Sequence, residues 1–283
     1  MGLEKVSYGW LARATLTVMA CGVAAVCWQH PPAVGGVVAA AVITAAIWWF
    51  LAGLSLSNAI WSGLVSQDMT WHARLRPDGP VHRGGPIDPD TEFMVGQMRQ
   101  VEDRVQDFIR ASDLEHVSLA VTGGRIGLWH EAASTRSGRG GHVDLGYFWL
   151  FPDRSNVLPY ILEHELAHLR RNDARARLGT TTLRAALIVL CAGLLPLAQA
   201  LLVLAVLTAV GIGYQWWTEL ACDREAARHC GRRVAVAAWK QDLADTRQIP
   251  LVRRLWAALL ALRSHPPMLL RVWWARLAPS GSA

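Results

Sequence analysis

Residues 164–168 read His164-Glu165-Leu166-Ala167-His168, and this pentapeptide decides how the rest of the sequence is interpreted. On a helix, two histidines four positions apart lie on one face, one turn above the other. Both imidazoles can then reach one zinc ion, and the glutamate beside the first histidine can hold and deprotonate a zinc-bound water. The pattern therefore predicts a hydrolytic zinc site, and the alternative is a surface helix with two solvated histidines.

The residues around the pentapeptide predict that it lies inside a helix. Apolar residues recur at helical spacing from Leu158 to Leu169, which gives the helix one apolar face. Pro159 is typical of the first turn of a helix, where its missing N–H is no loss. Three polar residues just upstream are candidate N-terminal caps, namely Asp153, Ser155 and Asn156.

A third protein ligand is expected because two histidines rarely hold a catalytic zinc ion alone. The extended pattern HExxHxxGxxH is excluded, since Arg171 and Ala174 stand where glycine and histidine would be required. Further along the chain, Glu219 and Asp223 are four residues apart and share a helical face. We predict that Glu219 binds the metal and that Asp223 hydrogen-bonds a zinc-bound histidine through its other nitrogen. The alternative is an ordinary amphipathic helix with solvated acids.

Two other residues near these positions are interpreted from their local sequence. Helical spacing turns Cys222 about a quarter turn or more away from both acids, so we interpret it as a small packed residue. His265 precedes two prolines that hold the chain extended. It could contact substrate or an oxyanion in a cleft, or simply be solvated. The five cysteines lie mostly in apolar or cytoplasmic segments, so no disulfide framework is expected.

The composition indicates a membrane protein, because 52% of the residues are hydrophobic and 14 are tryptophans while the net charge is +6. Residues 6–28 and 33–56 are each long enough to cross a bilayer as a helix. The loop between them has no lysine or arginine, whereas arginines follow the second block. The positive-inside rule therefore predicts that the N-terminus and the region after residue 56 are cytoplasmic.

A third apolar block, residues 183–217, separates the two halves of the predicted zinc site. Glu219 must reach the same ion as the two histidines, so the chain must return to the same side of the membrane. The length of the block is typical of a helical hairpin that turns near residues 193–196, where Pro196 interrupts helix hydrogen bonds. The predicted divisions are two transmembrane helices (1–65), the first half of a cytoplasmic protease domain (66–182), a membrane hairpin (183–217) and the second half of that domain (218–283).

The soluble part shows a mixed pattern of helix and strand. Residues 93–109 have the spacing of an amphipathic helix, and residues 76–90 have the composition of a linker. Residues 134–141 form either a mobile lid or an exposed hairpin turn. Nucleic acid is not an expected partner, since the arginines form no stripe with interleaved aromatic residues. Short strands are predicted at residues 117–121, 126–130 and 142–151.

With these residues placed, the chain resembles the integral-membrane zinc metalloproteases that include the bacterial heat-shock protease HtpX and the eukaryotic CAAX prenyl proteases. The resemblance rests on HELAH at 164–168 followed by Asp173, ELACD at 219–223, and His265-Pro266-Pro267 followed by Arg271. It implies an α+β membrane protein, with a mainly helical gluzincin-type domain and a small β-sheet. It further implies one zinc ion per chain held by His164, His168 and Glu219, with Glu165 as general base, Asp223 behind the ligands, and His265 and Arg271 stabilising the tetrahedral intermediate and organising the cleft.

The resemblance also implies a substrate strand ahead of the motif helix. Residues 131–135 and 143–147 fall where the edge strand of the family would lie, and such an edge could pair with an extended peptide. The expected substrate-binding residues are Ala132, Ala133, Val143 and Leu145. The family usually has alanine where Cys222 stands, and its Asn-Ala-Phe-Ala segment is reduced here to Ala132-Ala133.

Together these observations favour a multi-pass membrane zinc endopeptidase whose site lies at the cytoplasmic face and whose substrates are membrane or misfolded proteins. Two alternatives stay open. One is a signalling protease that cuts a cytoplasmic repressor, because ELACD is also close to the BlaR/MecR antibiotic sensors. The other is a catalytically silent membrane scaffold in which zinc only braces two helices. The expected partners are a peptide or protein substrate and the lipid bilayer, and the oligomeric state is left open.

Overall fold

The computed structural model describes residues 69–84, 92–122, 132–173, parts of 176–191, 195–248, 250–262 and 265–277. The described residues up to 175 and from Gln215 onward belong to one compact unit, and those from Ala176 to Tyr214 belong to another. The predicted spans at 6–28 and 33–56 and the predicted strand at 126–130 lie outside the described residues. The described part is a mixture of helices with one small mixed sheet, as the coarse fold class predicted.

Five strands form the sheet in the spatial order β2-β1-β3-β5-β4. Strands β3 and β5 pair in parallel, whereas every other neighbouring pair is antiparallel. Among the described residues, β2 and β4 are therefore the two edges of the sheet. The strands are β1 (Met69–Arg76), β2 (Gly79–Gly84), β3 (His116–Thr122), β4 (Ala132–Ser137) and β5 (Gly140–Gly146).

The helices are α1 (Glu92–Arg110), α2 (Leu158–Arg171), α3 (Leu197–Cys230), α4 (Arg232–Gln248), α5 (Leu251–Ala261) and α6 (Met268–Leu277). The helix predicted at 93–109 is confirmed as α1. Its buried residues recur at three- and four-residue spacing, which is the stripe of an amphipathic helix packed on a core. That stripe comprises Met94, Met98, Val101, Val105 and Phe108.

One face of the sheet supplies the other half of this core. Because successive side chains of a strand point to opposite faces, the alternating residues of β3 and β5 lie on the same side. Val117, Leu119, Val121, Val143 and Leu145 are at most 1% exposed and belong to the same hydrophobic cluster as the buried residues of α1 and α2. The sheet thus forms a platform for α2, the helix that carries the HELAH motif.

The backbone corrects two local predictions and decides between the alternatives of a third. The segment 76–90 is not simply a linker, because it includes β2 and a tight turn that places Gly79 at φ 137°. The strand predicted at 142–151 ends at Gly146 and is followed by a short 3-10 helix, Tyr147–Leu150. Residues 134–141 form a hairpin from β4 to β5, with Gly138 at φ 58° in its turn, so the hairpin alternative is confirmed over the lid.

Helix α2 begins and ends differently from the sequence prediction. Its N-terminal cap position is Val157, which makes no side-chain hydrogen bond, so none of the three predicted polar caps is used. Pro159 lies in the first turn as predicted. At the other end Asn172 has the left-handed conformation, φ 54°, which asparagine tolerates better than most residues. This residue turns the chain sharply, and Asp173 follows it.

Helix α3 carries both apolar and acidic segments of the sequence. Among the described residues it is the one helix long and apolar enough, over Ala198–Cys230, to cross a membrane by length and composition. It begins at Leu197, directly after Pro196, which agrees with the break predicted near residues 193–196. Its last three turns carry Glu219 and Asp223 into the unit that contains α2.

Candidate metal centre

The predicted metal ligands converge on one point between α2 and α3. Nε2 of His164 lies 3.2 Å from Nε2 of His168. The carboxylate of Glu219 approaches the same two atoms, with Oε2 3.4 Å from His164 Nε2 and Oε1 3.5 Å from His168 Nε2. His164 is 5% exposed and Glu219 is 2% exposed, so the three ligand atoms face a largely buried point.

These separations fit a tetrahedral zinc ion. Nitrogen and oxygen ligands about 2.0–2.1 Å from zinc lie roughly 3.3–3.4 Å from one another in a tetrahedral site. His164 Nε2 and His168 Nε2 are 3.2 Å apart, and they lie 3.4 and 3.5 Å from the two different oxygens of the Glu219 carboxylate, Oε2 and Oε1. These three residues could therefore hold a metal ion.

A carboxylate lies beside the other nitrogen of each histidine. Oδ1 of Asp223 is 2.9 Å from Nδ1 of His164, and Oδ2 of Asp173 is 2.8 Å from Nδ1 of His168. A carboxylate in this position keeps the proton on Nδ1, so that Nε2 presents its lone pair to a metal. Asp223 lies beside His164 as predicted, at ion-pair distance from Nδ1, and the hydrogen bond between them stays a prediction. The contact of Asp173 was missed, although its position just beyond the end of the HELAH helix was a usable signal.

A buried polar network holds Asp223 in place. Arg271 donates from Nε to Oδ2 at 2.8 Å and from Nη2 to Oδ1 at 2.7 Å. The hydroxyl of Tyr160 donates to the same Oδ1 at 3.1 Å, and Trp239 Nε1 donates to that hydroxyl at 2.8 Å. The guanidinium of Arg271 also stacks 3.5 Å from the centre of the Trp239 ring. Sequence reasoning missed Tyr160 and Trp239, because they come from α2 and α4 and meet only in the folded chain.

Arg271 therefore lies behind the ligands rather than in an open cleft. Its side chain is 6% exposed, and its Nη2 is 3.7 Å from Oε2 of Glu219. These contacts are consistent with the expectation that Arg271 helps to organise the cleft. The same guanidinium contributes positive charge close to both Asp223 and Glu219.

His265 lies at the rim of the same site. Its Nε2 is 3.8 Å from Oε2 of Glu219, while 51% of its side chain is exposed. The structure thus brings together the HELAH helix, the Glu219 helix and the segment that contains His265, as the sequence motifs suggested. Its partial exposure leaves His265 accessible to a bound molecule.

Glu165 points from α2 toward the edge strand β4. It is 5% exposed, and its carboxylate oxygen Oε2 lies 2.8 Å from the hydroxyl oxygen of Ser134. The same hydroxyl lies 2.9 Å from the backbone carbonyl oxygen of Glu165. Sequence reasoning placed Ser134 both in the expected substrate strand, 131–135, and at the start of the segment 134–141, and it gave the side chain no role.

The expected substrate strand is partly corrected. Ala132 and Ala133 lie on β4, which is an edge of the sheet among the described residues. Strand β5, by contrast, is an interior strand between β3 and β4. The expectation that Val143 and Leu145 belong to an edge strand is wrong, and both side chains are fully buried in the core at 0% exposure. They cannot line a substrate groove with their side chains.

Cys222 is buried, as predicted, but it is closer to the site than helical spacing suggested. Its Sγ lies 3.3 Å from Nδ1 of His168 and 3.5 Å from Oδ2 of Asp173. These three residues form a second group that could hold a metal ion. The two groups share His168, but they use opposite nitrogens of its ring.

The charges of the side chains at this site compensate one another. Burial alone would lower the pKa of His164, but interactions with Asp223 and Glu219 raise it to about 9. Burial likewise opposes the charge of Arg271, yet Asp223 and Glu219 raise its pKa above the ordinary value. Burial would raise the pKa of Asp173, but its hydrogen bond to His168 lowers it. A metal ion at Nε2 would therefore compete with a proton on His164.

Neither a protein-family model nor a curated protein matches the chain. The functional argument consequently depends on the residues and on their geometry.

Proposed function

We propose that this protein is a zinc-dependent endopeptidase of the gluzincin type, anchored in a membrane. The observation that carries the proposal is the convergence of His164 Nε2, His168 Nε2 and the Glu219 carboxylate within 3.5 Å of one another. Three protein ligands with a fourth position left to water are typical of catalytic zinc, whereas structural zinc normally has four protein ligands. Glu165 occupies the general-base position of the HExxH motif. A purely structural zinc site does not require a carboxylate at this position.

Each residue of the candidate site has a separate role in the proposed peptide hydrolysis. A bound zinc ion would supply Lewis acidity, which polarises the scissile carbonyl and acidifies a water molecule. Glu165 accepts the proton of the attacking water at its carboxylate and delivers it to the leaving amine. Asp173 and Asp223 hold the two imidazoles in the tautomer that leaves Nε2 unprotonated. His265, exposed at the rim, is placed to donate to the oxygen that gains negative charge.

The membrane setting of the proposal follows from the apolar blocks. The candidate crossing helix α3 ends in the residues that supply Glu219 and Asp223, so the site belongs near a membrane surface. If the blocks at 6–28 and 33–56 are two further spans, the distribution of arginines in the sequence favours the cytoplasmic surface. Substrates of this site would be cytoplasmic or membrane proteins with an unfolded stretch close to the bilayer.

The direct test compares the detergent-purified wild type with Glu165→Gln on an unfolded protein substrate, each loaded with zinc. The variant keeps the ligands but loses the base, so it should bind zinc like the wild type and lose about 10²- to 10⁴-fold in rate. Glu115→Gln is a matched control, because Glu115 is an exposed residue in a surface ion pair with Arg139. It should cleave like the wild type.

Two results would count against the proposal. Equal cleavage by the wild type and Glu165→Gln would show that this carboxylate is not the base or that a contaminant is responsible. Zinc bound in both proteins with no cleavage by either would favour the scaffold alternative. Cleavage of one cytoplasmic repressor but no unfolded substrate would keep the zinc peptidase and favour the signalling alternative.

A further inference from the structure

The contact between Ser134 and Glu165 joins the sheet to the residue in the base position. Ser134 lies on β4, opposite Val143 of β5, and its hydroxyl oxygen is 2.8 Å from Oε2 of Glu165. Glu165 is nearly buried, and in the part of the chain that the structure describes Ser134 is the side chain that hydrogen-bonds to its carboxylate. A buried carboxylate needs such a donor, because unpaired polar groups in the interior are costly.

The geometry around the hydroxyl suits a group that must accept and then release a proton. A serine hydroxyl has one hydrogen to donate and lone pairs with which to accept. In the resting state it donates to Oε2 of Glu165. When that carboxyl carries the proton of the attacking water, the carboxyl can donate to Oγ, and the serine hydrogen can turn to the carbonyl oxygen of Glu165, 2.9 Å away. The same side chain then has a hydrogen-bond partner at both stages.

We propose that Ser134 is a positioning residue whose hydroxyl sets the orientation of the Glu165 carboxylate relative to the metal ligands. This inference rests on the proposed peptidase function. Glu165 is flanked in sequence by His164 and is part of a rigid, buried helix, so its backbone is fixed. The torsions of its side chain are fixed only by what the carboxylate contacts. Displacement of a catalytic group by about 1 Å can cost on the order of 10²-fold in rate.

A second contact keeps Ser134 in register with the helix. Arg136, two residues along β4 and therefore on the same face, donates from Nη1 to the carbonyl oxygen of Leu169 at 3.3 Å. Strand β4 is thus tied to α2 at Glu165 and again one turn further on, at Leu169. Among the described residues β4 is an edge of the sheet, so a molecule that paired with it would be aligned along the strand that orients Glu165.

The test uses two variants of Ser134 and one matched control on the full-length chain. Ser134→Ala removes the hydroxyl, and Ser134→Thr restores it. Ser155→Ala is the control, because it removes the hydroxyl of a surface serine ahead of α2 that donates to the carbonyl oxygen of Pro152. Each variant is assayed for zinc affinity, thermal unfolding, kcat, KM and binding of acetohydroxamate, a zinc-directed probe that also hydrogen-bonds to the base.

Ser134→Ala should fold, bind zinc within about twofold of the wild type and keep its KM, because no metal ligand is touched. Its kcat should fall about tenfold, less than the loss for a missing base. Its affinity for acetohydroxamate should fall several-fold, which reports the position of Glu165 without turnover. Ser134→Thr should recover most of both losses, and Ser155→Ala should match the wild type.

Three results would overturn the inference. The first is a kcat for Ser134→Ala equal to that of the wild type. The second is a parallel fall in zinc affinity or unfolding temperature, which would assign a purely structural role. The third is failure of threonine to restore what alanine loses. A wild type that binds zinc but never cleaves would instead refute the proposed function, and the inference with it.

Discussion

Replacement of Asp173 by alanine should weaken zinc binding while the fold stays intact. In the structure Oδ2 of Asp173 lies 2.8 Å from Nδ1 of His168, and this is the contact that fixes the ring and its tautomer. Loss of such a carboxylate typically lowers metal affinity 10- to 100-fold, which corresponds to about 1.4–2.8 kcal/mol. Asp173→Asn keeps a carbonyl oxygen as an acceptor at the same position, so its loss should be near the lower limit.

Asp173 is a better choice than Asp223 for this test, because the cationic partner of Asp173 is partly exposed, whereas that of Asp223 is buried. Removal of Asp223 would strand the guanidinium of Arg271, whose side chain is only 6% exposed, and an uncompensated buried charge costs about 3–5 kcal/mol. Arg171, the cationic partner of Asp173, is 27% exposed and can be hydrated when its partner is gone. The affinity change for Asp173 can therefore be measured on a folded protein.

The assay is a competition for zinc between the purified protein and a chelating fluorophore near neutral pH. Thermal unfolding of the metal-free proteins checks that Asp173→Ala is folded. Asp107→Ala serves as the control, because Asp107 is 59% exposed and pairs only locally with Arg110. Zinc affinity of folded Asp173→Ala within a factor of two of Asp107→Ala would refute the assignment of Asp173.

Three further substitutions test residues that stabilise the fold, as distinct from those expected to bind the metal. Arg271→Ala should lower the free energy of unfolding by about 3–5 kcal/mol in chemical denaturation, because it leaves Asp223 buried without its cation; a loss under 1 kcal/mol would contradict the buried network. Tyr160→Phe removes the hydrogen bond to Asp223 and leaves buried Trp239 Nε1 without its acceptor, so it should cost about 1–3 kcal/mol, with zinc affinity nearly unchanged; a loss above that of Arg271→Ala would contradict the smaller contribution assigned to Tyr160. Burial lowers the pKa of His142 to about 4 from 6.5, so above pH 6.5 the ring is neutral in both states, and below it the unfolded chain takes up the proton first. The wild type should therefore lose up to about 3 kcal/mol relative to His142→Leu between pH 6.5 and 4, and a difference that stays constant with pH would refute this reading.

The candidate metal ligands could be found from the sequence because they obey short-range helix geometry. His164 and His168 are one turn apart, and so are Glu219 and Asp223, and each pair depends only on the helix that carries it. The contact between the two helices is a feature of the tertiary structure that neither helix predicts alone. It was inferred from the expectation that two histidines need a third ligand. The structure brings all four residues together around one point.

The parts of the site that sequence reasoning missed depend on long-range contacts or on backbone turns. Tyr160 and Trp239 are 79 residues apart and hydrogen-bond only because α2 and α4 pack together. Asp173 returns to His168 because Asn172 takes a left-handed conformation, which a helical wheel does not anticipate. The contact of Ser134 was not expected because the residue begins the stretch Ser-Thr-Arg-Ser-Gly, whose composition is typical of a loop.

The sheet shows why an edge strand is hard to predict. Strand β5 alternates the apolar residues Val143 and Leu145 with the polar residues His142 and Asp144, a pattern shared by edge and interior strands. Its interior place follows from its parallel pairing with β3, to which a crossover connects it. The alternation of Val143 and Leu145 predicted their strand correctly, but it carried no information about their neighbours.

The most direct test of the metal assignment is the X-ray absorption spectrum of the zinc-loaded wild type. Coordination by His164, His168 and Glu219 predicts only nitrogen and oxygen ligands at about 2.0–2.1 Å, with the multiple-scattering signal of two imidazoles. The neighbouring group of His168, Asp173 and Cys222 would instead give a sulfur ligand at about 2.3 Å and one imidazole. A sulfur shell in that spectrum would contradict the account, and its absence together with two imidazoles would confirm the ligand set on which the proposed function depends.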